Sequence, residues 1–152
     1  MAKVKHVAEF FISLSKERTH YAITPLKLQK LLYYAQAFHL RDKKKTLFPE
    51  AIEAWKHGPV VPEIYRLYRE YGYFTIPHSQ FINEQLFTQQ PKLVDCEIET
   101  IEKVWEDFGR LDGKFLEELT HQEDPWIFTD INEEIEIEKI IEYFANESEL
   151  NV

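Results

Sequence analysis

The stretch LKLQKLLYYAQAFHL, Leu26 to Leu40, constrains the fold more than any other part of this 152-residue chain. Leu28, Leu31, Leu32, Ala35 and Phe38 recur at helical spacing, and Leu26, Tyr33, Ala37 and Leu40 carry apolar surface round to the other faces. A helix with one apolar stripe can lie at a surface, whereas one that is apolar nearly all round has to be enclosed by neighbours. The rest of the chain is therefore expected to wrap around this helix. Thr24 is placed to cap it, and Pro25 falls in the first turn, where a missing N–H costs nothing. Arg41 to Lys45 reads as a charged turn beyond its end.

The enclosing elements are legible from spacing. Val4, Val7, Ala8, Phe11, Ile12 and Ser15 line one face of a first helix. Ala51 to Trp55 partly alternates and predicts a brief strand, which His57-Gly58-Pro59 breaks. Pro62 opens a third helix carrying Ile64, Leu67, Tyr68 and Tyr71, and Gly72 ends it. Tyr73 to Asp95 reads as an irregular connection packed down by Phe74, Ile76, Phe81 and Phe87. Ile98, Ile101, Trp105 and Phe108 predict a fourth helix ending at Gly109. Asp112 caps a short fifth helix with Phe115, Leu116 and Leu119. Ile135 and Ile137 alternate with glutamates as an extended lead-in to a last helix with Ile137, Ile140, Ile141 and Phe144. The expectation is a mainly α fold: one compact helical domain over residues 1–152, of about six helices with one or two short β-strands.

Several function classes are disfavoured. A net charge of −9 repels phosphate backbones, so nucleic acid is not an expected partner. The single Cys96 forms no internal disulfide, and no activating base stands beside it. No apolar run reaches the length of a bilayer span and the N-terminal stretch is not a signal-peptide core, which points to the cytoplasm. His121, Glu123 and Asp124 could form an acid–base pair or part of a metal site. The other histidines are scattered at positions 6, 20, 39, 57 and 78, so no metal, no cofactor and no catalytic residue is expected. A structural turn is favoured over a small His121/Asp124 hydrolase: Thr120 and His121 close the fifth helix, and Asp124-Pro125 turns the chain. The Trp55-Lys56-His57-Gly58-Pro59-Val60 loop makes a poor phosphate cradle, because Pro59 and Pro62 each remove an N–H; a binding loop and a rigid corner are both open. On the second helix Lys27, Lys30 and Tyr34 share one face and Gln29, Tyr33 and Gln36 another, either as solvated edges or as anchors for a partner.

Four blocks taken together carry a resemblance. ITPLKLQKLLYYAQ (Ile23–Gln36), AWKHGPVVPEIY (Ala54–Tyr65), FGRLDGKFLEELTHQEDPW (Phe108–Trp126) and IIEYF (Ile140–Phe144) resemble, in order and spacing, the Panacea domain of SocA-type antitoxins and phage-associated GepA-like proteins. The resemblance implies a small, mainly helical, non-enzymatic antitoxin, encoded beside a toxin gene in bacteria and prophages, that neutralises its toxin by direct protein–protein contact. In SocA-type systems the antitoxin instead delivers the toxin to a protease, so a protease is a second implied partner; a phage-encoded modulator of a host protein is a related alternative. Self-association is left open. The motif positions are Pro25, Leu28, Gln29, Lys30, Tyr33, Trp55, Gly58, Pro59, Val60, Pro62, Tyr65, Leu119, Thr120, His121, Pro125 and Trp126. Expected partner contacts are Lys27, Gln29, Lys30, Tyr33, Tyr34, Trp55, His57, Gly58, Pro59, Val60 and Pro62. Pro25, Thr120, His121, Asp124, Pro125 and Trp126 are expected to be structural: Phe115, Leu119 and Trp126 fold the segment onto the core, and Thr120, His121 and Asp124 satisfy buried backbone groups.

Overall fold

The computed structural model describes residues 1–78 and 92–150. Its first helix, α1 (Val4–Leu14), turns Val4, Val7, Ala8, Phe11 and Ile12 inward, as their spacing requires. The second, α2 (Pro25–Lys43), is buried at every residue from Lys27 to Leu40. Thr24 accepts the Lys27 N–H at 3.3 Å as its N-cap, and Lys44 ends it in a left-handed conformation. The remaining elements are β1 (Glu53–Trp55), β2 (Gly58–Val60), α3 (Pro62–Tyr68), α4 (Asp95–Phe108), α5 (Gly113–Thr120), α6 (Asp124–Ile127) and α7 (Ile137–Leu150). Helices α1, α3, α4, α5 and α7 and strand β2 all touch α2. The architecture is the mainly α one expected, with seven helices among the described residues.

The differences from expectation have physical reasons. Gly58 to Val60 does not merely break a strand; it returns as β2, antiparallel to β1, with Trp55 opposite Gly58. Only Lys56 and His57 make the turn, which Gly58 permits by taking φ of 107°. On the other side of β1, Ala54 N–H donates to Glu133 O at 2.9 Å and Ile135 N–H to Ile52 O at 2.8 Å, so the glutamate-rich lead-in to α7 is a strand-like cover. Helix α3 ends at Tyr68 and gives way to a 3-10 turn, Arg69–Tyr71, leaving Leu67 exposed. Phe74 is 80% exposed rather than packed down, whereas Ile76 is buried with its N–H on Ile23 O. Phe81 and Phe87 lie outside the described residues. The helix beyond the expected six, α6, spans four residues, too few for any periodicity to show.

Candidate functional site

The polar residues of α2 from Lys27 to Gln36 are neither solvated edges nor surface anchors; each is satisfied inside the chain. Lys27 Nζ donates to the carbonyls of His20, Ala22 and Gly109 at 3.0, 3.0 and 2.6 Å, and lies 5.5 Å from the centre of the Trp105 ring. Burial pushes its pKa down to about 8. Lys30 is fully enclosed and donates to Pro59 O at 2.9 Å; burial pushes it down to about 7 against the pull of Glu117. Gln29 pairs with Val61 like a strand, donating to its carbonyl at 3.2 Å and accepting its N–H at 2.8 Å. Gln36 does the same for the chain at Leu47 and Phe48. Tyr33 and Tyr34 donate to the two carboxylate oxygens of buried Glu123, at 3.0 and 2.8 Å. Burial and then the Glu123 charge hold the Tyr33 hydroxyl well above the ordinary tyrosine range. Paired buried groups like these make a long helix and two loops one rigid unit.

That unit fixes the hairpin. A Cβ on Gly58 would stand 2.8 Å from both Lys30 Cε and Thr120 Oγ1, so β2 presses directly onto α2 and α5. Trp126 Nε1 donates to Trp55 O at 2.8 Å, tying α6 to β1. His121 stacks on Trp126 with ring centres 4.1 Å apart, and Thr120 bonds back to Glu117 O. Pro125 is buried, while Asp124 is exposed and Phe115 is half exposed. Asp124 supplies a backbone carbonyl to Phe128 N–H, and Glu123 is the acidic side chain that anchors the segment. The three candidate acid–base residues thus diverge: His121 to a tryptophan, Glu123 to two tyrosines, Asp124 to solvent.

Beside the hairpin opens a cleft of about 840 Å³. Its walls carry Trp55, Tyr65, Tyr68 and Tyr73, with Ile64 and Ile131 between them, and Gln29 and Lys30 reach it from α2. Trp55 and Tyr65 meet edge to face at 5.0 Å. Tyr65 and Ile131 are about half exposed and Tyr73 is 97% exposed, so a large aromatic surface faces solvent. On the rim, His57 Nδ1 lies 2.6 Å from Glu117 Oε1 and Lys114 Nζ donates to Glu117 Oε2 at 2.6 Å. Burial alone would raise the Glu117 carboxyl, but the bonds from Lys114 and His57 hold it below its usual value.

Of the partner contacts expected from sequence, Trp55 and His57 line this cleft at the surface, and Gly58, Pro59, Val60 and Pro62 shape the corner below. Lys27, Tyr33 and Tyr34 are buried away from solvent. Sequence reasoning placed Lys56 in the candidate binding loop but missed Tyr65, Tyr68, Tyr73, Arg69, Lys114 and Glu117 as cleft residues. The Lys114/Glu117 and Tyr65/Tyr68 pairs have i,i+3 spacing that could have shown them; Tyr73 follows Gly72 in a loop, where no period exists.

Comparison with known proteins agrees with this scaffold. A family model described as "Antitoxin SocA-like, Panacea domain" matches residues 28–127, which take in the body of α2, the hairpin, α3, α4, α5 and α6. Pro25 and the Ile140–Phe144 block lie outside that match. "Antitoxin SocA" of Caulobacter vibrioides (strain NA1000 / CB15N) is 34% identical over 110 residues, 68% of this chain and 58% of that protein, so less than two thirds of the relative's length is covered. No solved structure matches. With buried Lys30, the Gly58 corner and the Glu123 anchor all inside the matched segment, the chain belongs to the antitoxin SocA-like, Panacea-domain family.

Proposed function

We propose that the chain is an antitoxin that neutralises a toxin protein by direct contact, without turnover, and that the cleft beside the hairpin is its docking surface. The observation that carries this reading is the aromatic wall of half-buried Trp55, half-exposed Tyr65 and exposed Tyr73 standing on an otherwise internally satisfied scaffold. Solvent-facing tyrosine and tryptophan clustered in a concave site are the residue types that supply binding hot spots. Family membership and the name of the Caulobacter relative point the same way. Trp55 and His57 are the contact residues retained from the sequence reading. Gln29, Lys30, Gly58, Pro59, Val60 and Pro62 act by holding the hairpin in place. Among the described residues no helix is long and apolar enough to cross a membrane, and we place the action in the cytoplasm.

Co-expression with the reading frame adjacent to the gene tests the proposal. The wild-type chain should restore growth and co-purify with the toxin, in a protease-deficient host as well as a normal one. The Tyr65→Ala/Tyr73→Ala variant should lose both effects while its thermal unfolding midpoint falls by no more than about 4 °C, because Tyr73 is exposed and half-exposed Tyr65 gives up one ring contact with Trp55. Rescue that needs the protease would replace neutralisation by occlusion with delivery for degradation. Rescue without any complex would end the docking proposal.

A further inference from the structure

Charge is divided unevenly along the chain. Residues 1–78 hold 13 basic and 7 acidic side chains, net +6, whereas residues 92–152 hold 5 basic and 19 acidic, net −14. The cleft draws its cations from both parts. Lys56, Arg69 and Lys114 line it against one carboxylate, Glu117, which is already bonded to Lys114 and His57, while the Lys30 amine below is fully enclosed and bonded to Pro59 O. Among the described residues Lys56 and Arg69 make no ion pair, and both are exposed. A positive, aromatic cleft on a molecule of net charge −9 is a local reversal of the whole-protein field.

From this reversal we infer that the cleft takes an acidic segment of the partner protein, with an aromatic or large apolar side chain seated against Trp55, Tyr65 and Tyr73 and carboxylates facing Lys56 and Arg69. The inference rests on the docking surface proposed above and specifies what docks there. A net charge of −9 taken alone would favour a basic partner; the local charge of the cleft points the other way. A phosphorylated small ligand fits less well. Phosphate sites draw on runs of backbone N–H groups, and here Pro25 and Pro62 stand in the first turns of α2 and α3, Pro59 has no N–H, and the Val61 N–H is bonded to Gln29. The cations also come from separate elements: Lys56 from the hairpin turn, Arg69 from the 3-10 turn and Lys114 from α5. That spread suits carboxylates distributed along a chain better than one compact phosphate.

The test selects a displayed library of random dodecapeptides on the intact chain and measures the best binder by fluorescence anisotropy. Enriched peptides should be acidic and carry an aromatic residue. Affinity should fall several-fold as NaCl rises from about 50 to about 300 mM. The Lys56→Glu/Arg69→Glu variant should bind the same peptide roughly tenfold more weakly, with unfolding unchanged. Neutral or basic enriched peptides, or acidic ones indifferent to the variant, overturn the inference. So does saturable ATP binding that the variant abolishes, or a salt-sensitive self-association that the variant abolishes, each assigning the cleft to another occupant. Growth rescue keeps the two proposals apart. If Tyr65→Ala/Tyr73→Ala abolishes rescue but Lys56→Glu/Arg69→Glu does not, docking stands and the charge assignment falls. If neither variant affects rescue, docking itself falls.

Discussion

Replacing Lys30 by methionine should flatten the pH dependence of stability. Lys30 is fully enclosed and burial holds it at about pKa 7, against 10.5 for an unburied lysine. Between those two values the unfolded chain binds a proton that the folded chain does not, so stability rises with pH across that window. Integrating the two titrations gives a gain of about 2 kcal/mol for Lys30 between about pH 7.5 and pH 9, and Lys27, held at about 8 and partly screened by solvent, adds at most about 1 kcal/mol. Methionine keeps most of the apolar stem and loses the bond to Pro59 O, a substitution that buried cations often tolerate. Urea unfolding followed by tryptophan fluorescence at the two pH values reads the effect. The wild type should gain about 2 to 3 kcal/mol and Lys30→Met at most about 1 kcal/mol, with equal m-values. A wild-type stability that is flat over this range, or a slope unchanged by Lys30→Met, would show that the ammonium stays charged in the folded chain and refute the reasoning.

Three further outcomes are expected. Gly58→Ala places a Cβ 2.8 Å from Lys30 Cε and Thr120 Oγ1 at a φ of 107°, so denaturant midpoints should report a loss of roughly 3 kcal/mol; a loss under about 1 kcal/mol would mean the hairpin moves freely off α2. Glu123→Ala removes the carboxylate that accepts from two buried tyrosine hydroxyls and should cost about 4 kcal/mol, with Glu123→Gln between it and wild type by thermal unfolding. His121→Ala removes a ring stacked 4.1 Å from Trp126 and should cost on the order of 1 kcal/mol; a hydrolytic activity that it abolished in a still-folded chain would instead restore the catalytic reading.

Much of the frame was legible because it follows from local chemistry. A fourteen-residue buried run in α2 is a periodicity statement, and the Thr24 and Asp112 caps are residue-type statements, so spacing alone located them. The alternation of Ile135 and Ile137 with glutamates announced an extended lead-in, although nothing local says that Glu133 to Ile135 lie against β1 or that Ile137 already opens α7. The cleft was only half visible. Trp55 and the Gly58-Pro59 corner announce a special backbone, but the arrival of Tyr65, Tyr68 and Arg69 beside them depends on how α3 leaves the hairpin.

Residue pattern alone dictates that one helix must be enclosed, where most of its companions start and stop, and which glycine lets the backbone turn sharply. Periodicity and capping act within a few residues, so no distant contact is needed to read them. Tertiary structure decided what the polar groups on that helix do. Lys27 became a clamp on three carbonyls, Gln29 a surrogate strand, and Glu123 the acceptor for two tyrosines rather than a half of an acid–base pair. Those roles belong to partners 82, 32 and 90 residues away. A buried polar atom takes whichever complement packing brings to it, because leaving it unpaired costs more than any local preference provides.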